Sequence, residues 1–323
     1  MTVIAKDPFP ENPSIIFMGT PVFAIPTLKG LIHNGYKVTV VVTQPDRPKG
    51  RGRKMTTSPV KQLAVEHGIS TLQPEKVTDN HFFDLVKNEA PDIIIVVAFG
   101  QILNKDILSI PKWGGINIHA SLLPKYRGAA PIQHALLNND SLTGLTVMQM
   151  DEGLDTGPIL YQEEVPILVD ETAGQLHDRL ALKAGDLIIR FLRRMTEDRL
   201  TEVPQDHSSA TYAPKLEKSL SLIDWGLDAA RISALIRALD PKPGAYTAMG
   251  EKKIKLFSPR VSDKTCLDTV PGRVIKENEG IFQVETGKGT IEIREMQYPG
   301  KKRLSSKVFL QGFAIPDGTV LGN

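Results

Sequence analysis

A chain of 323 residues, 41% hydrophobic and 24% charged, has room for two domains with a core in each. Its single cysteine, Cys266, excludes an internal disulfide and a Cys-rich zinc site, and no apolar run reaches bilayer-spanning length. The net charge is only +2, yet from His207 onward 18 Lys and Arg stand against 13 Asp and Glu, a mildly basic C-terminal part compatible with a polyanionic partner. Cysteine usage points to a reducing compartment. The opening residues, with Pro8, Pro10 and Pro13 and no apolar core, match neither a secretory signal nor an Arg-rich transit peptide. The expectation is a soluble cytoplasmic protein with no membrane segment.

In chain order, residues 14–19 (SIIFMG) read as a short buried strand, Val22 to His33 as a helix stopped near Asn34-Gly35, and Lys37 to Thr43 as a second strand. Gly19-Thr20-Pro21 stands where a G-x-G-x-x-G would open the first helix, and no phosphate loop follows, so dinucleotide and nucleoside-triphosphate readings lose their main support. Gln44 to Pro59 reads as a flexible loop. Arg47, Lys49, Arg51, Arg53 and Lys54 place five cations in eight residues, among Pro and Gly that disfavour helix and strand. Composition alone fits a solubilising loop as well as a segment that folds onto a phosphate backbone. Elements then follow at residues 60–67, 69–72 and 80–88. Asp92 to Ala98 is apolar in the manner of a parallel strand covered on both faces, and Phe99 to Leu103 reads as a short helix lining a pocket.

The stretch Ile116-Asn117-Ile118-His119 alternates apolar and polar, so Asn117 and His119 leave one face of a strand at its exit. Ligands bind at strand exits in open α/β sheets, and an amide beside an imidazole can polarise a carbonyl and move a proton near neutral pH. Taken alone, such a histidine is more often an ordinary hydrogen-bonded residue. A second strand leads into Asp151-Glu152-Gly153-Leu154-Asp155-Thr156-Gly157, where either aspartate can orient the imidazole. Asp155, between two glycines, is the favoured one, and Asp151 and Glu152 fit a solvated turn. With a helix at 131–138, strands at 143–150 and 158–165 and a long amphipathic helix at 172–195, the alternation predicts a doubly wound, mostly parallel α/β sheet.

Residues 197–218 turn polar, and His207 there reads as an exposed loop residue. Beyond one helix near 228–238, short strands separated by Gly turns predict a small barrel. Lys252, Lys253 and Lys255, with Lys301, Lys302 and Arg303, suggest a nucleic-acid track or simply a solvated surface. The expected division is a catalytic domain over 1–206, a linker over 207–218 and a barrel domain over 219–323. The seven histidines show no ligand spacing, so no metal is expected.

Asn-x-His-x-Ser-Leu-Leu-Pro followed by Gly-Leu-Asp-Thr-Gly resembles the folate-dependent formyltransferases. Ser121-Leu-Leu-Pro-Lys-Tyr-Arg-Gly-Ala-Ala-Pro-Ile132, Phe17-Met-Gly-Thr-Pro21 and Thr43-Gln-Pro-Asp-Arg-Pro48 are similar to their branch acting on methionyl-tRNA. The resemblance runs from about Ile15 to the C-terminus. It implies a Rossmann-like formyltransferase domain, an OB-like C-terminal barrel that binds tRNA, and transfer of formyl from 10-formyltetrahydrofolate, a consumed cosubstrate, to the α-amino group of methionine on initiator tRNA. By motif match it implies Asn117, His119 and Asp155 as catalytic residues, Ser121, Leu122, Leu123 and Pro124 as folate contacts, and Arg47 with its basic neighbours as tRNA contacts. It also implies a monomer. Ala120, where many relatives carry Gly, is a small departure that fits a strand. A formyltransferase for a small amine would share the trio without needing the basic loop, whereas a non-catalytic RNA-binding relative would not need the trio.

Overall fold

A computed structural model of the chain describes residues 8–49, 52, 54–197, 200–262, 270–277 and 281–322. Cys266, Arg51 and Arg53 lie outside them. The chain divides into two compact units, one of Met1–Gly128, Thr143–Val165 and His177–Tyr212, the other of Ala129–Leu142, Pro166–Leu176 and Ala213–Asn323.

The first unit is a seven-stranded sheet. Its elements are β1 (Ser14–Gly19), α1 (Ile25–His33), β2 (Lys37–Val42), a two-stranded ribbon of β3 (Arg47–Lys49) and β4 (Lys54–Thr56), α2 (Pro59–Glu66), β5 (Ser70–Leu72), α3 (Asn80–Glu89), β6 (Ile93–Val97), α4 (Lys105–Leu108) and β7 (Gly115–His119). After α5 (Pro131–Leu137), which belongs to the second unit, come β8 (Leu142–Gln149), β9 (Ile159–Pro166) and α6 (Ala173–Thr196). The strand order is β5-β2-β1-β6-β7-β8-β9. The pairs from β5 to β7 are parallel and β8 runs antiparallel to β7. Every residue of β6 is buried, as a strand covered on both faces demands. Ile16 and Met18 of β1 and Ile94 and Val96 of β6 pack with Phe82 and Val86 of α3. Burying each such side chain contributes about 1.5–3 kcal/mol. The order reverses between β1 and β6, which opens a crevice at their carboxyl ends.

The short helix expected over 99–103 lies instead at 105–108, where the Asn104 side chain accepts from Ile107 N and caps it. The Phe99 carbonyl is drawn to the Thr20 hydroxyl and the Gln44 amide, and Gly100 turns at φ +87°, which keeps 99–103 non-helical.

The second unit is an antiparallel, curled half-barrel. It holds α7 (Ala229–Leu239), β10 (Tyr246–Met249), β11 (Lys252–Ser262), β12 (Val274–Glu277), β13 (Ile281–Glu285), β14 (Thr290–Gln297), β15 (Arg303–Ser305) and α8 (Ser306–Gly312). Strands run β10-β11-β14-β13-β12, with β15 on β14. Ile232, Ile236 and Leu239 of α7 meet Ile254, Leu256, Phe282, Ile291 and Ile293 in its core. Asp228 caps α7 by accepting from Arg231 N.

Candidate active site

Strand pleating sends Asn117 and His119 to the same side of β7, two residues apart at its end. Register puts them opposite Met148 and Thr146 of β8. Among the described residues the half-buried Asn117 side-chain amide has no hydrogen-bond partner, so its N–H groups are free for a ligand. His119 is buried at 6% exposure. Its Nε2 donates to the Tyr126 carbonyl at 2.9 Å, and its Nδ1 stands 3.7 Å from Asp155 Oδ2. That gap exceeds hydrogen-bond length, and the carboxylate attracts the ring across it only when the ring is charged; such contacts are often long without substrate. Both ring nitrogens face oxygen acceptors.

Asp155 is presented by a loop with little conformational choice. Its own φ is +54°, a left-handed conformation costing a non-glycine residue about 1–2 kcal/mol. Its Oδ2 accepts from Gly128 N at 2.8 Å. A Cβ on Gly157 would collide with the Gln149 carbonyl, so only glycine lets the loop turn back this tightly. Asp151 is exposed and occupied within the turn, accepting from Gly153 N and the Thr156 hydroxyl. Tyr126 also carries a left-handed backbone, φ +62°. Strained residues thus flank His119 on both sides, a pattern that clusters at functional sites.

The turn Ser121–Pro124 is largely engaged by the fold itself. The buried Ser121 hydroxyl donates to Lys125 O, and Ser121 O accepts from Thr146. Leu123 N donates to Thr146, Leu123 O accepts from Gln162, and Leu122 O and Pro124 O accept from Lys125 N and Thr211 N. What the turn still offers a ligand is the half-exposed apolar edge of Leu122 and Pro124.

The stretch read as a flexible loop is a hairpin, in which Arg47 pairs with Thr56, Pro48 with Met55 and Lys49 with Lys54. Proline is tolerated because a two-stranded ribbon leaves outward edges that need no donor. The hairpin is closed at its base from afar. Asp46 accepts from Lys61 and Gln73, each at 2.8 Å, and Gln73 also donates to Gln44 O. The hydrogen bonds from Lys61 and then Gln73 hold the Asp46 carboxyl below the ordinary carboxylate range. Arg47 and Lys54 are exposed.

In the second unit, Lys218, Lys253 and Lys255 line a cavity of about 500 Å³ with Ser219, Ser221 and Tyr246. Lys301 and Lys302 are exposed. Arg303 is not available in the same way. Its guanidinium bonds Asp240 at 2.9 Å, Glu295 and Ser258, and stacks 4.1 Å from the centre of the Phe257 ring. It is an internal clamp and not a free cation.

Two residues beside the site, Arg127 and Gln205, were not singled out by sequence. Arg127 is 2% exposed, and the side chains it meets are Gln205 and His207. His207, read as an exposed loop residue, is exposed, yet it accepts from this guanidinium through Nδ1 at 3.2 Å. No cluster of three or more His, Cys, Asp or Glu suited to a metal occurs among the described residues, and no described helix is long and apolar enough to cross a membrane.

The family model for formyl transferase matches residues 14–192, and that for formyl transferase, C-terminal domain, matches residues 215–314. A methionyl-tRNA formyltransferase of Syntrophus aciditrophicus is 45% identical over 309 residues, covering 96% of this chain and 99% of its own. One of Geobacter sulfurreducens is 47% identical, covering 95% and 96%. Among solved structures, the sugar 3N-formyl transferase WlaRD superposes with a TM-score of 0.64 at 19% identity, over 90% of this chain and 98% of that one. HypX of Aquifex aeolicus, in complex with tetrahydrofolic acid, superposes with a TM-score of 0.62 at 17% identity, over 95% and 48%.

Proposed function

The chain belongs to the formyl transferase family, and we infer that it transfers the formyl group of 10-formyltetrahydrofolate to the α-amino group of methionyl initiator tRNA, giving N-formylmethionyl-tRNA for translation initiation. The folate is a consumed cosubstrate. Relatives at 44–47% identity over nearly their whole length support the acceptor.

The reading of the chemistry rests on one observation: a free Asn117 amide beside a His119 ring held between Tyr126 O and Asp155. As the amine attacks the formyl carbon, negative charge develops on the formyl oxygen. Asn117 donates an N–H to that oxygen, a preorganised donor worth about 3–4 kcal/mol of barrier. His119, whose Nε2–H is spent on Tyr126 O, takes at Nδ1 the proton released by the attacking nitrogen and returns it to the folate nitrogen as the carbon–nitrogen bond to the carrier breaks. Asp155 orients the imidazole and balances its charge. No covalent enzyme intermediate is needed. Leu122 and Pro124 supply apolar contact to the folate. Arg47, Lys49 and Lys54 on the hairpin, Lys301 and Lys302, and the lysine-lined cavity of the second unit meet the RNA backbone. Arg303 keeps Asp240 and Glu295 together instead. We place the protein in the cytoplasm as a monomer, with the residues up to 206 as the catalytic domain and those from 219 as the tRNA-binding one.

Incubation with 10-formyltetrahydrofolate and either methionyl initiator tRNA, a glycinamide ribonucleotide or an amino-sugar nucleotide tests the acceptor. Formyl transfer to the methionyl-tRNA alone is expected, weakening steeply with salt. Transfer to a small amine at a comparable rate would overturn the assignment.

A further inference from the structure

We propose that Arg127 and Gln205 are positioning residues that close a ring of contacts around His119 and Asp155 and so set the geometry of the proton transfer. The proposal rests on those two residues being the catalytic pair.

The ring can be followed atom by atom. His119 Nε2 donates to the carbonyl of Tyr126, 2.9 Å away. The next residue, Arg127, sends Nε and a terminal nitrogen to Gln205 Oε1 at 3.1 and 2.7 Å. The other end of the same amide, Gln205 Nε2, donates to the carbonyls of Asp155 at 2.9 Å and Gly157 at 2.7 Å. Asp155 then faces His119 Nδ1 across 3.7 Å. A second strut crosses the ring from Gly128 N to Asp155 Oδ2 at 2.8 Å. One side-chain amide therefore ties the segment touching one nitrogen of the imidazole to the loop touching the other.

Two features separate this from ordinary packing. A guanidinium buried at 2% exposure usually faces a carboxylate, because an unpaired buried charge is costly. Arg127 faces neutral acceptors, the Gln205 carbonyl oxygen and His207 Nδ1 at 3.2 Å. A glutamate at 205 would neutralise the arginine but could not donate to two carbonyls. Of the two, only the amide accepts from the guanidinium and donates to both carbonyls of the Asp155 loop at once. The choice of glutamine follows from the need to connect, not from the need to stabilise the arginine. The ring also holds two left-handed non-glycine residues, Tyr126 and Asp155, in place.

The test uses the full chain with 10-formyltetrahydrofolate and methionyl initiator tRNA. Gln205→Glu keeps a partner for Arg127 and cuts the tie to Asp155. Arg127→Lys keeps the charge and loses the fork. Each is expected to lower kcat roughly tenfold with KM for both substrates within about twofold, while remaining folded by circular dichroism. The double variant is expected to be no worse than the more damaged single one, as parts of one unit behave. Wild-type kcat in folded Gln205→Glu, or in folded Arg127→Lys should the first variant not fold, would overturn the proposal. So would losses that multiply in the double variant. His119→Ala and Asp155→Asn run alongside. If those two retain full activity the catalytic reading itself fails, and if they are dead while Gln205→Glu and Arg127→Lys keep wild-type kcat, only the ring does.

Discussion

The two kinds of polar surface in this molecule are built on opposite principles. Around β7 the His119 ring is buried and Asn117 and Asp155 are half-buried; His119 and Asp155 have fixed partners, and among the described residues the Asn117 amide has none. Arg47 and Lys54 of the β3–β4 hairpin and Lys301 and Lys302 of the C-terminal unit instead lie at the surface, and Lys218, Lys253 and Lys255 line an open cavity. The difference fits the tasks proposed for the two surfaces. Stabilising charge that appears only in a transition state requires donors held in advance in a water-poor site. Recognising a polyanion of regular charge needs many exposed cations, each contributing a little and each screened by salt.

The contrast is broken most severely at Asn117. Asn117→Ala is expected to lower kcat by roughly 10²–10³-fold, the effect of losing one preorganised donor, with tRNA affinity within about twofold; steady-state kinetics and a filter-binding titration read the two separately. Arg47→Ala should do the reverse, raising KM for methionyl-tRNA about tenfold while kcat at saturation and folate binding stay near wild type. Smaller still is the effect of Lys218→Ala, Lys253→Ala or Lys255→Ala. Each should flatten the slope of log affinity against log salt by about 0.7–0.9 if it removes one phosphate contact. An unchanged slope would remove that cavity from the RNA surface.

The smallest effect concerns stability in acid. Hydrogen bonds from Arg273, opposed by burial, hold the Glu285 carboxyl below the ordinary carboxylate range. The folded chain therefore binds that proton less readily than the unfolded one. The stability it contributes is complete above the ordinary carboxylate range and is lost as pH falls through the lower folded value. Thermal melts of wild type and Glu285→Gln should differ at neutral pH and converge at the acid end; a gap that stays constant with pH would contradict this.

Much of the fold was legible in the sequence because its signals are local. The all-apolar runs at β1 and β6, the alternation through β7 and the long amphipathic α6 each state their burial within a few residues. Asn117 and His119 share a face by the same period. What was not legible depends on distance along the chain. The hairpin at 47–56 reads as a flexible loop because the residues that anchor its base, Lys61 and Gln73, come later and carry no motif. Gln205 reads only as part of a polar stretch because its meaning lies in Arg127, 78 positions earlier. Arg303 reads as a surface cation beside Lys301 and Lys302, and only folding brings Asp240 to it across 63 positions. Polar networks closed over such separations leave no periodicity to detect.

The central claim, that an amide and an imidazole at the end of β7 carry out the transfer, is tested most directly by the single-turnover rate of His119→Ala. Enzyme is saturated with 10-formyltetrahydrofolate and mixed with a trace of methionyl initiator tRNA. The account predicts a first-order rate at least 10²-fold below wild type with the bound fraction of tRNA unchanged. A wild-type rate with intact binding would show that the chemistry is done elsewhere.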